Sequence, residues 1–259
     1  MDKILAIDTK NYRARVQPGV INFEFQQAVS KLGLLYPPDP ASWMMCSIGG
    51  NVGTNAGGPK TVKYGVTRDY LVGLTVVLAD GSVVHTGSEG PESSAMGYDL
   101  TDLFCGSEGT LGIVTEISVR LVPKPAASRT LRADFSNLED SGKAVADIMA
   151  AGIVPSALEL MDDVVISAVE ADSNLGLPAD VEGMLLLEVD GTPESLDGQV
   201  RRIEEVLTAN NASRVISAGT VEEAQNLWKA RRAAFSVMAR LRPTVVMEDA
   251  TVPVANLPA

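Results

Sequence analysis

The residues whose types and spacing best suit chemistry lie in a glycine-rich stretch of the N-terminal half. It runs from Ser47 to Gly58 and reads SIGGNVGTNAGG. Glycines let the backbone approach a ligand closely and expose its amide N–H groups, while the Ser, Asn and Thr side chains add donors and acceptors. This backbone suits a large, flat ligand with many oxygen atoms, such as a dinucleotide. The same composition is typical of a surface loop whose glycines take left-handed turns, and both interpretations stay open.

Two common phosphate-binding motifs do not explain this stretch. A Walker loop requires Gly-x4-Gly-Lys-Ser/Thr. Gly53 and Gly58 have the required spacing, but Pro59 stands where the lysine should be and Lys60 comes one residue too late. The glycines between residues 106 and 112 have the wrong spacing for the GxGxxG fingerprint, and we expect them to lead into a strand rather than a helix. A dinucleotide bound by this chain would therefore use neither common fold.

Composition narrows the class of protein. The chain has 259 residues, of which 46% are hydrophobic and 21% charged, as in folded proteins with one large or two modest domains. Its 33 acidic and 21 basic residues give a net charge of −12, which repels nucleic acid. Two cysteines and one histidine predict no metal site and a reducing, cytoplasmic compartment. The sequence contains no run of about 18 apolar residues, so we expect no transmembrane helix.

We predict two domains, 1–125 and 126–259. In the first, Asn22 is expected to cap a helix over 22–32 that Gly33 ends. A long irregular stretch over 36–68 precedes a hairpin with Asp80-Gly81 at its turn and a short helix near 100–104. In the second domain, strands and helices are predicted to alternate. The predicted strands are 129–134, 157–161, 183–189 and 213–217, and the predicted helices are 138–151, 163–171, 194–210 and 221–241. This order predicts an α+β fold of repeated β-α-β units with helices on one face of a sheet.

Several ordered motifs resemble one family. They are Pro38-Asp39-Pro40, Ser47-Ile48-Gly49-Gly50-Asn51, Asn55-Ala56-Gly57-Gly58, Lys63-Tyr64-Gly65, Gly97-Tyr98-Asp99-Leu100, Gly106 to Thr115, Leu227 to Phe235 and Met247 to Pro253. Together they resemble the FAD-linked oxidases of the vanillyl-alcohol-oxidase type, specifically the branch of glycolate oxidase catalytic subunits and D-lactate dehydrogenases. The resemblance extends over essentially the whole chain. It implies the second half of a PCMH-type FAD-binding domain followed by a ferredoxin-like α+β FAD-oxidase C-terminal cap domain, both incomplete.

The resemblance also implies FAD as the cofactor, held between two segments of the first domain. The first segment would contribute Pro38, Asp39, Pro40, Ser42, Ser47, Gly49, Gly50, Asn51, Asn55, Gly57 and Gly58. The second would contribute Glu108, Gly109 and Ile113 on the other side of the cofactor. A β-branched side chain such as that of Ile113 offers an apolar wall to a flat ring.

A substrate anchor is implied on the last predicted helix. Trp228, Arg231 and Phe235 recur at helical spacing and share a face. The planar fork of an arginine matches two carboxylate oxygens and stays charged. Arg231 aligns with the family's carboxylate-binding arginine, and Arg232, about 100° away around the helix, is the alternative. Without the resemblance, the ordinary expectation is an ion pair between Arg231 and an acidic residue such as Glu222.

The implied function is oxidation of a small D-2-hydroxy acid, of the glycolate or D-lactate type, to the 2-oxo acid by hydride transfer to flavin N5. No catalytic residue is assigned, because the family's pyrophosphate loop and its active-site histidines would lie outside residues 1–259. We therefore expect an inactive fragment that binds FAD weakly or not at all by itself. The alternative is a non-catalytic flavin-domain remnant acting as a binding or assembly subunit. Other oxidase subunits are expected partners, through which the chain would reach the periphery of the inner membrane.

Overall fold

The computed structural model describes residues 1–87, 98–246 and 250–257. Two family motifs extend beyond these ranges, since Gly97 and the segment 247–249 lie outside the described residues. The chain divides into two compact units, Met1–Lys124 and Pro125–Ala259. Each unit has its own hydrophobic core.

A five-stranded antiparallel sheet forms the first unit. Its spatial order is β1 (Ile4–Asp8), β2 (Arg13–Val16), β6 (Ile113–Arg120), β4 (Leu71–Val77) and β5 (Val83–Gly87). The short strands β3 (Leu34–Leu35) and β7 (Val122–Pro123) form a separate two-stranded antiparallel sheet. Alternate strand residues are buried, as expected for a sheet with one covered face; they include Val16, Leu74, Val76, Ile117 and Val119. The helices α1 (Asn22–Ser30), α2 (Ile48–Thr54), α3 (Thr61–Tyr64) and α4 (Leu100–Phe104) complete this unit.

The stretch predicted to be irregular contains α2 and α3, so that prediction was wrong for these residues. Ser47 begins α2, because its Oγ accepts a hydrogen bond from the Gly50 amide at 3.1 Å. Asn55 ends α2 in the left-handed region with φ +50°. Glycine is a poor helix former, which hid the helix from sequence patterns. The amide of Ile48 also donates to the carbonyl of Val20 at 2.8 Å, so tertiary contacts stabilise the first turn.

Other predictions for the first unit had mixed outcomes. The hairpin of β4 and β5 and the helix α4 are confirmed, as is the left-handed Gly33 at φ +73°. Asn22 does not cap α1. It is the first residue of that helix and is fully buried, and its Nδ2 donates to the carbonyl of Pro38 at 3.1 Å. The strand β1 was not predicted. Its sequence, ILAID, shows no alternation of apolar and polar residues, and it forms by pairing with β2.

A four-stranded antiparallel sheet forms the second unit. Its spatial order is β11 (Arg214–Ser217), β8 (Ala127–Phe135), β10 (Gly183–Gly191) and β9 (Ala157–Asp162). Numbered along the chain, this order is 4-1-3-2, that of a ferredoxin-like sheet. The helices are α5 (Leu138–Ala150), α6 (Asp163–Ser173), α7 (Pro193–Ala209) and α8 (Val221–Met238).

Helices cover both faces of this sheet, so the prediction of helices on one face was wrong. Leu131 and Ala133 of β8 share a core cluster with residues of α5 and α7. Thr130, which points to the opposite face, accepts a hydrogen bond from Trp228 Nε1 of α8 at 3.3 Å. A strand that is buried on both faces reads as a continuous apolar run. The run from Met184 to Leu187 in β10 is such a signal.

Glu170 fastens the end of α6 to the following loop. Its carboxylate accepts hydrogen bonds from the amides of Leu175, Gly176 and Leu177 at 3.0, 3.1 and 2.9 Å. These hydrogen bonds, foremost the one from Leu177, lower the pKa of Glu170 below its ordinary value.

The loop held by Glu170 should therefore loosen in acid. A lowered folded-state pKa contributes stability above the unfolded-state pKa, and this contribution disappears as the pH falls through the folded value. We expect the amide protection of residues 175–177 to drop as the pH falls below the ordinary pKa of a glutamate, measured by hydrogen exchange. In Glu170→Gln the protection should be low at neutral pH and show no such step. An identical acid step in both proteins would contradict this account.

Candidate functional site

A groove lies in the first unit where β6 begins beside α2, with a volume of ≈ 390 Å³. Five of the residues predicted to contact FAD line it, namely Ser47, Gly49, Gly50, Gly109 and Ile113. The side chain of Ile113 is 65% exposed and forms an apolar edge of the groove. The two segments that the sequence predicted to face a flat cofactor therefore meet at one place.

The glycines of the groove are of two kinds. A Cβ atom on Gly49 would lie 2.4 Å from Pro18 Cβ, and one on Gly112 would lie 2.6 Å from Val76 Cγ1, so packing within the unit requires glycine at both positions. A Cβ on Gly53 would meet only Glu108 Cα, at 4.0 Å. Gly53 lies inside α2, where glycine costs about 1 kcal/mol relative to alanine. Among the described residues no packing contact requires glycine at this position, and Gly53 is one of the residues that line the groove.

The main-chain amides at the start of α2 are not free for a ligand. Those of Ile48 and Gly49 donate to the carbonyls of Val20 and Pro18, both at 2.8 Å, and that of Gly50 is bound by the Ser47 hydroxyl. The expectation that the glycines expose these amides was therefore wrong. A flat ligand in this groove would meet the Cα atoms of the glycines and the side chain of Ile113 instead.

The remaining predicted contacts lie among the described residues but outside the lining of this groove: Pro38, Asp39, Pro40, Ser42, Asn51, Asn55, Gly57, Gly58 and Glu108. Their contacts with FAD stay predictions. Several of them join the segments around the groove. Asn51 Nδ2 donates to Asn22 Oδ1 at 3.3 Å, and the amide of Glu108 donates to the carbonyl of Gly53 at 2.9 Å. A Cβ on Gly58 would lie 2.2 Å from the Asp39 carbonyl oxygen, so glycine is required there for a close backbone approach.

Sequence reasoning missed part of this arrangement. Pro18 and Gly19 line the groove, and a Pro-Gly pair one residue beyond the end of β2 is a turn signal that could have found them. Gln26 of α1 donates to the carbonyls of Tyr36 and Pro38 at 3.1 and 3.0 Å. With Asn22 it ties the proline-rich turn to α1, a role for which the sequence carries no local signal.

Cys105, which follows the groove residue Phe104, is not a reactive thiol. Burial raises the pKa of the Cys105 thiol above its ordinary value, so the protonated form persists at neutral pH and the sulfur is a poor nucleophile. Within the described residues, no three or more His, Cys, Asp or Glu side chains form a group that could hold a metal ion. Over the same part of the chain, no helix is both long and apolar enough to cross a bilayer.

In the second unit, Arg231 extends from α8 to an acidic side chain of β9. Its Nε donates to Glu159 Oε2 at 2.8 Å, and the two side chains are 30% and 17% exposed. No other described residue accepts a hydrogen bond from Arg231, so both terminal nitrogens are open within that part of the chain. The arginine that the sequence singled out is thus paired with an acid, but only through Nε.

Arg232 lies in different surroundings. It lines a cavity of ≈ 630 Å³ together with Glu188, Gln225 and Trp228. The face of α8 that carries Trp228, Arg231 and Phe235 becomes more exposed along the helix, because Trp228 is buried and Phe235 is half exposed.

Two family models match the chain. The model described as FAD linked oxidases, C-terminal domain, matches residues 124–259, and the FAD binding domain matches residues 1–87. The first match alone spans more than half of the chain. The chain belongs to the FAD-linked oxidases. The predicted order of an FAD-binding domain followed by an FAD-oxidase C-terminal domain is confirmed, and FAD is the cofactor of the family.

Individual relatives agree with this placement. Glycolate oxidase subunit GlcD of Bacillus subtilis is 48% identical over 99% of this chain and 55% of its own length. D-lactate dehydrogenase of Anaerostipes hadrus is 36% identical over 97% of this chain and 54% of its own length. The chain thus spans about half the length of the curated relatives it matches. A structure of alkyldihydroxyacetonephosphate synthase shares the fold at a TM-score of 0.76 and 20% identity, covering 93% of this chain and 48% of that one.

Proposed function

We propose that this FAD-linked oxidase acts in the oxidation of a small D-2-hydroxy acid, glycolate or D-lactate, to the 2-oxo acid. The observation that carries the proposal is the guanidinium of Arg231, held at Nε with its terminal nitrogens open among the described residues. Relatives named as a glycolate oxidase subunit and a D-lactate dehydrogenase support this substrate class.

The groove of the first unit is the proposed place of the cofactor. Gly49, Gly50 and Gly53 would face one side of it, and Gly109 and Ile113 the other. FAD, when bound, supplies the acceptor for the hydride removed from the substrate. The predicted contacts outside the groove lining would hold these walls at a fixed spacing, through bonds such as that between Asn51 and Asn22.

Arg231 would bind and orient the substrate. Two parallel N–H groups match the two oxygens of a carboxylate, and the charge-assisted pair is stronger than neutral hydrogen bonds. Holding the carboxylate in one orientation also holds the adjacent hydroxyl-bearing carbon in one orientation, which raises the rate without added chemistry. None of the described residues is assigned as the base that takes the hydroxyl proton.

The proposal includes partners and a location. Other oxidase subunits are proposed partners, because the B. subtilis relative is itself named a subunit. Cytoplasmic placement, at the periphery of the inner membrane through those subunits, belongs to the same proposal.

The test is a matched pair of substitutions on adjacent residues of α8. Lysine keeps the charge and removes the planar fork. Because the chain is expected to be inactive by itself, the comparison is of substrate binding. Arg231→Lys should weaken glycolate binding about 100-fold, while Arg232→Lys should change it less than about threefold. The measurement is glycolate titration followed by NMR, with thermal unfolding as a control for folding.

The opposite pattern would move the anchor to Arg232 and its cavity. No binding of glycolate or D-lactate by the unsubstituted protein would contradict the proposal and favour a non-catalytic binding subunit.

A further inference from the structure

We propose that Glu159 is a positioning residue that presents the open edge of Arg231 to a monocarboxylate, an inference that rests on the proposed function. Glu159 does not bind the substrate in this account. Its effect passes through the hydrogen bond from Arg231 Nε to Glu159 Oε2, at 2.8 Å.

The sheet places Glu159 beneath α8. Side chains two apart on a strand share a face, so Glu159 shares the face of Ala157. Ala157 forms a buried cluster with Leu186 of β10 and Trp228 of α8. The backbone of a packed strand therefore holds Glu159, and its side chain is only 17% exposed. It is a rigid support for a long and otherwise mobile arginine.

The hydrogen bond to Glu159 leaves one edge of the Arg231 guanidinium available for a ligand, the edge formed by the two terminal nitrogens. Arginine has five N–H donors, one on Nε and four on the terminal nitrogens. Glu159 occupies the Nε donor, and no described residue accepts from the other four. An incoming carboxylate is therefore directed to the end-on pair of terminal nitrogens, rather than to the side-on edge that includes Nε.

Arg132, an arginine of β8 in the same unit, shows what a closed pair looks like. Arg132 donates from Nε and Nη2 to the two carboxylate oxygens of Asp134, at 2.9 and 2.7 Å, and both side chains are buried. The side-on edge of the Arg132 guanidinium is therefore fully used. Among the described residues, Arg231 donates one hydrogen bond, at 30% exposure, which is the arrangement of an oriented donor rather than of a neutralised one.

Orientation in advance has a direct effect on affinity. A free arginine side chain loses rotamer freedom when it binds a ligand, and that loss weakens binding. Glu159 removes part of this loss before the substrate arrives. The carboxylate charge of Glu159 acts in the other direction, because it also repels an anionic ligand. If Glu159 is a positioning residue, the affinity gained by orienting Arg231 is larger than the affinity lost to this repulsion. Substitutions of Glu159 can separate the two contributions.

Two variants of Glu159 make the separation. Glu159→Gln keeps an acceptor oxygen for Arg231 Nε and removes the charge, whereas Glu159→Ala removes both. We expect Glu159→Ala to weaken glycolate binding about tenfold, and Glu159→Gln to stay within about threefold of the unsubstituted chain. Binding is followed by glycolate titration of the backbone amide signals in ¹H–¹⁵N NMR spectra, which every variant retains, Arg231→Lys included.

A control variant and the other outcomes keep the test decisive. Glu139→Ala removes an exposed ion pair with Lys143 elsewhere in this unit and should leave glycolate affinity unchanged, with thermal unfolding confirming that every variant folds. Tighter binding in both Glu159 variants would make Glu159 a competitor and overturn the inference. Unchanged binding in Glu159→Ala, with binding lost in Arg231→Lys, would overturn the inference and keep the proposed anchor. Unchanged binding in Arg231→Lys, or none in the unsubstituted chain, would overturn both.

Discussion

Replacing Gly53 by alanine should strengthen folding and weaken FAD binding in the same protein. Alanine inside α2 gains up to about 1 kcal/mol of stability, because the added Cβ meets no atom of the described residues nearer than 4.0 Å. Gly53 lines the groove, where overpacking against a bound ring costs about 1–3 kcal/mol, or about 5- to 150-fold in affinity. Thermal unfolding and quenching of FAD fluorescence measure the two effects.

A second helical glycine provides the matched control. Gly198 lies in α7, and a Cβ added there would meet nothing within 4 Å. Gly198→Ala should give a similar gain in stability with unchanged FAD affinity. Unaltered FAD affinity in Gly53→Ala would show that the cofactor does not lie in this groove.

Removing one partner of the buried ion pair in the second unit should strongly destabilise the protein. The side chains of Arg132 and Asp134 are 8% and 3% exposed. Asp134→Ala leaves the arginine charge buried without its partner, which costs about 3–5 kcal/mol. Replacing both residues together, with Arg132→Met and Asp134→Leu, should be nearly neutral, because neither variant side chain carries a charge. Urea unfolding followed by Trp228 fluorescence, in a Trp43→Phe background that removes the second tryptophan, gives the free energies.

The exposed pair of Lys143 and Glu139 sets the scale for comparison. Its side chains are 50% and 57% exposed, and Glu139→Ala should change the free energy of unfolding by less than about 0.5 kcal/mol. Equal losses for Asp134→Ala and Glu139→Ala would mean that water reaches the Arg132–Asp134 pair.

Tertiary contacts account for the two largest errors of the sequence predictions. The helix α2 has glycine at three of its seven positions, so local propensity opposes it, and it forms because distant carbonyls and the Ser47 cap bind its first amides. The helices on the second face of the sheet in the second unit were missed for a related reason. Periodicity shows that a helix is amphipathic, but it does not show on which side of a sheet the helix packs.

Some site residues could be predicted and others could not. The pairing of the 47–58 and 106–113 segments followed from family motifs, and the groove lies where they meet. The roles of Asn22 and Gln26 did not, because their hydrogen bonds reach carbonyls 10 to 16 residues away. Arg231 stood out at its helical position, while its partner Glu159 lies 72 residues earlier in the chain.

The amino-acid sequence by itself determined the family, the order of the two domains and most helices and strands of the second unit. These depend on ordered motifs and on periodicity, which are local properties of the chain. Only the tertiary structure decided which glycines are required by packing and which keep a groove open, and which edge of Arg231 is available. Those properties depend on distances between residues far apart in sequence, and no local pattern encodes such distances.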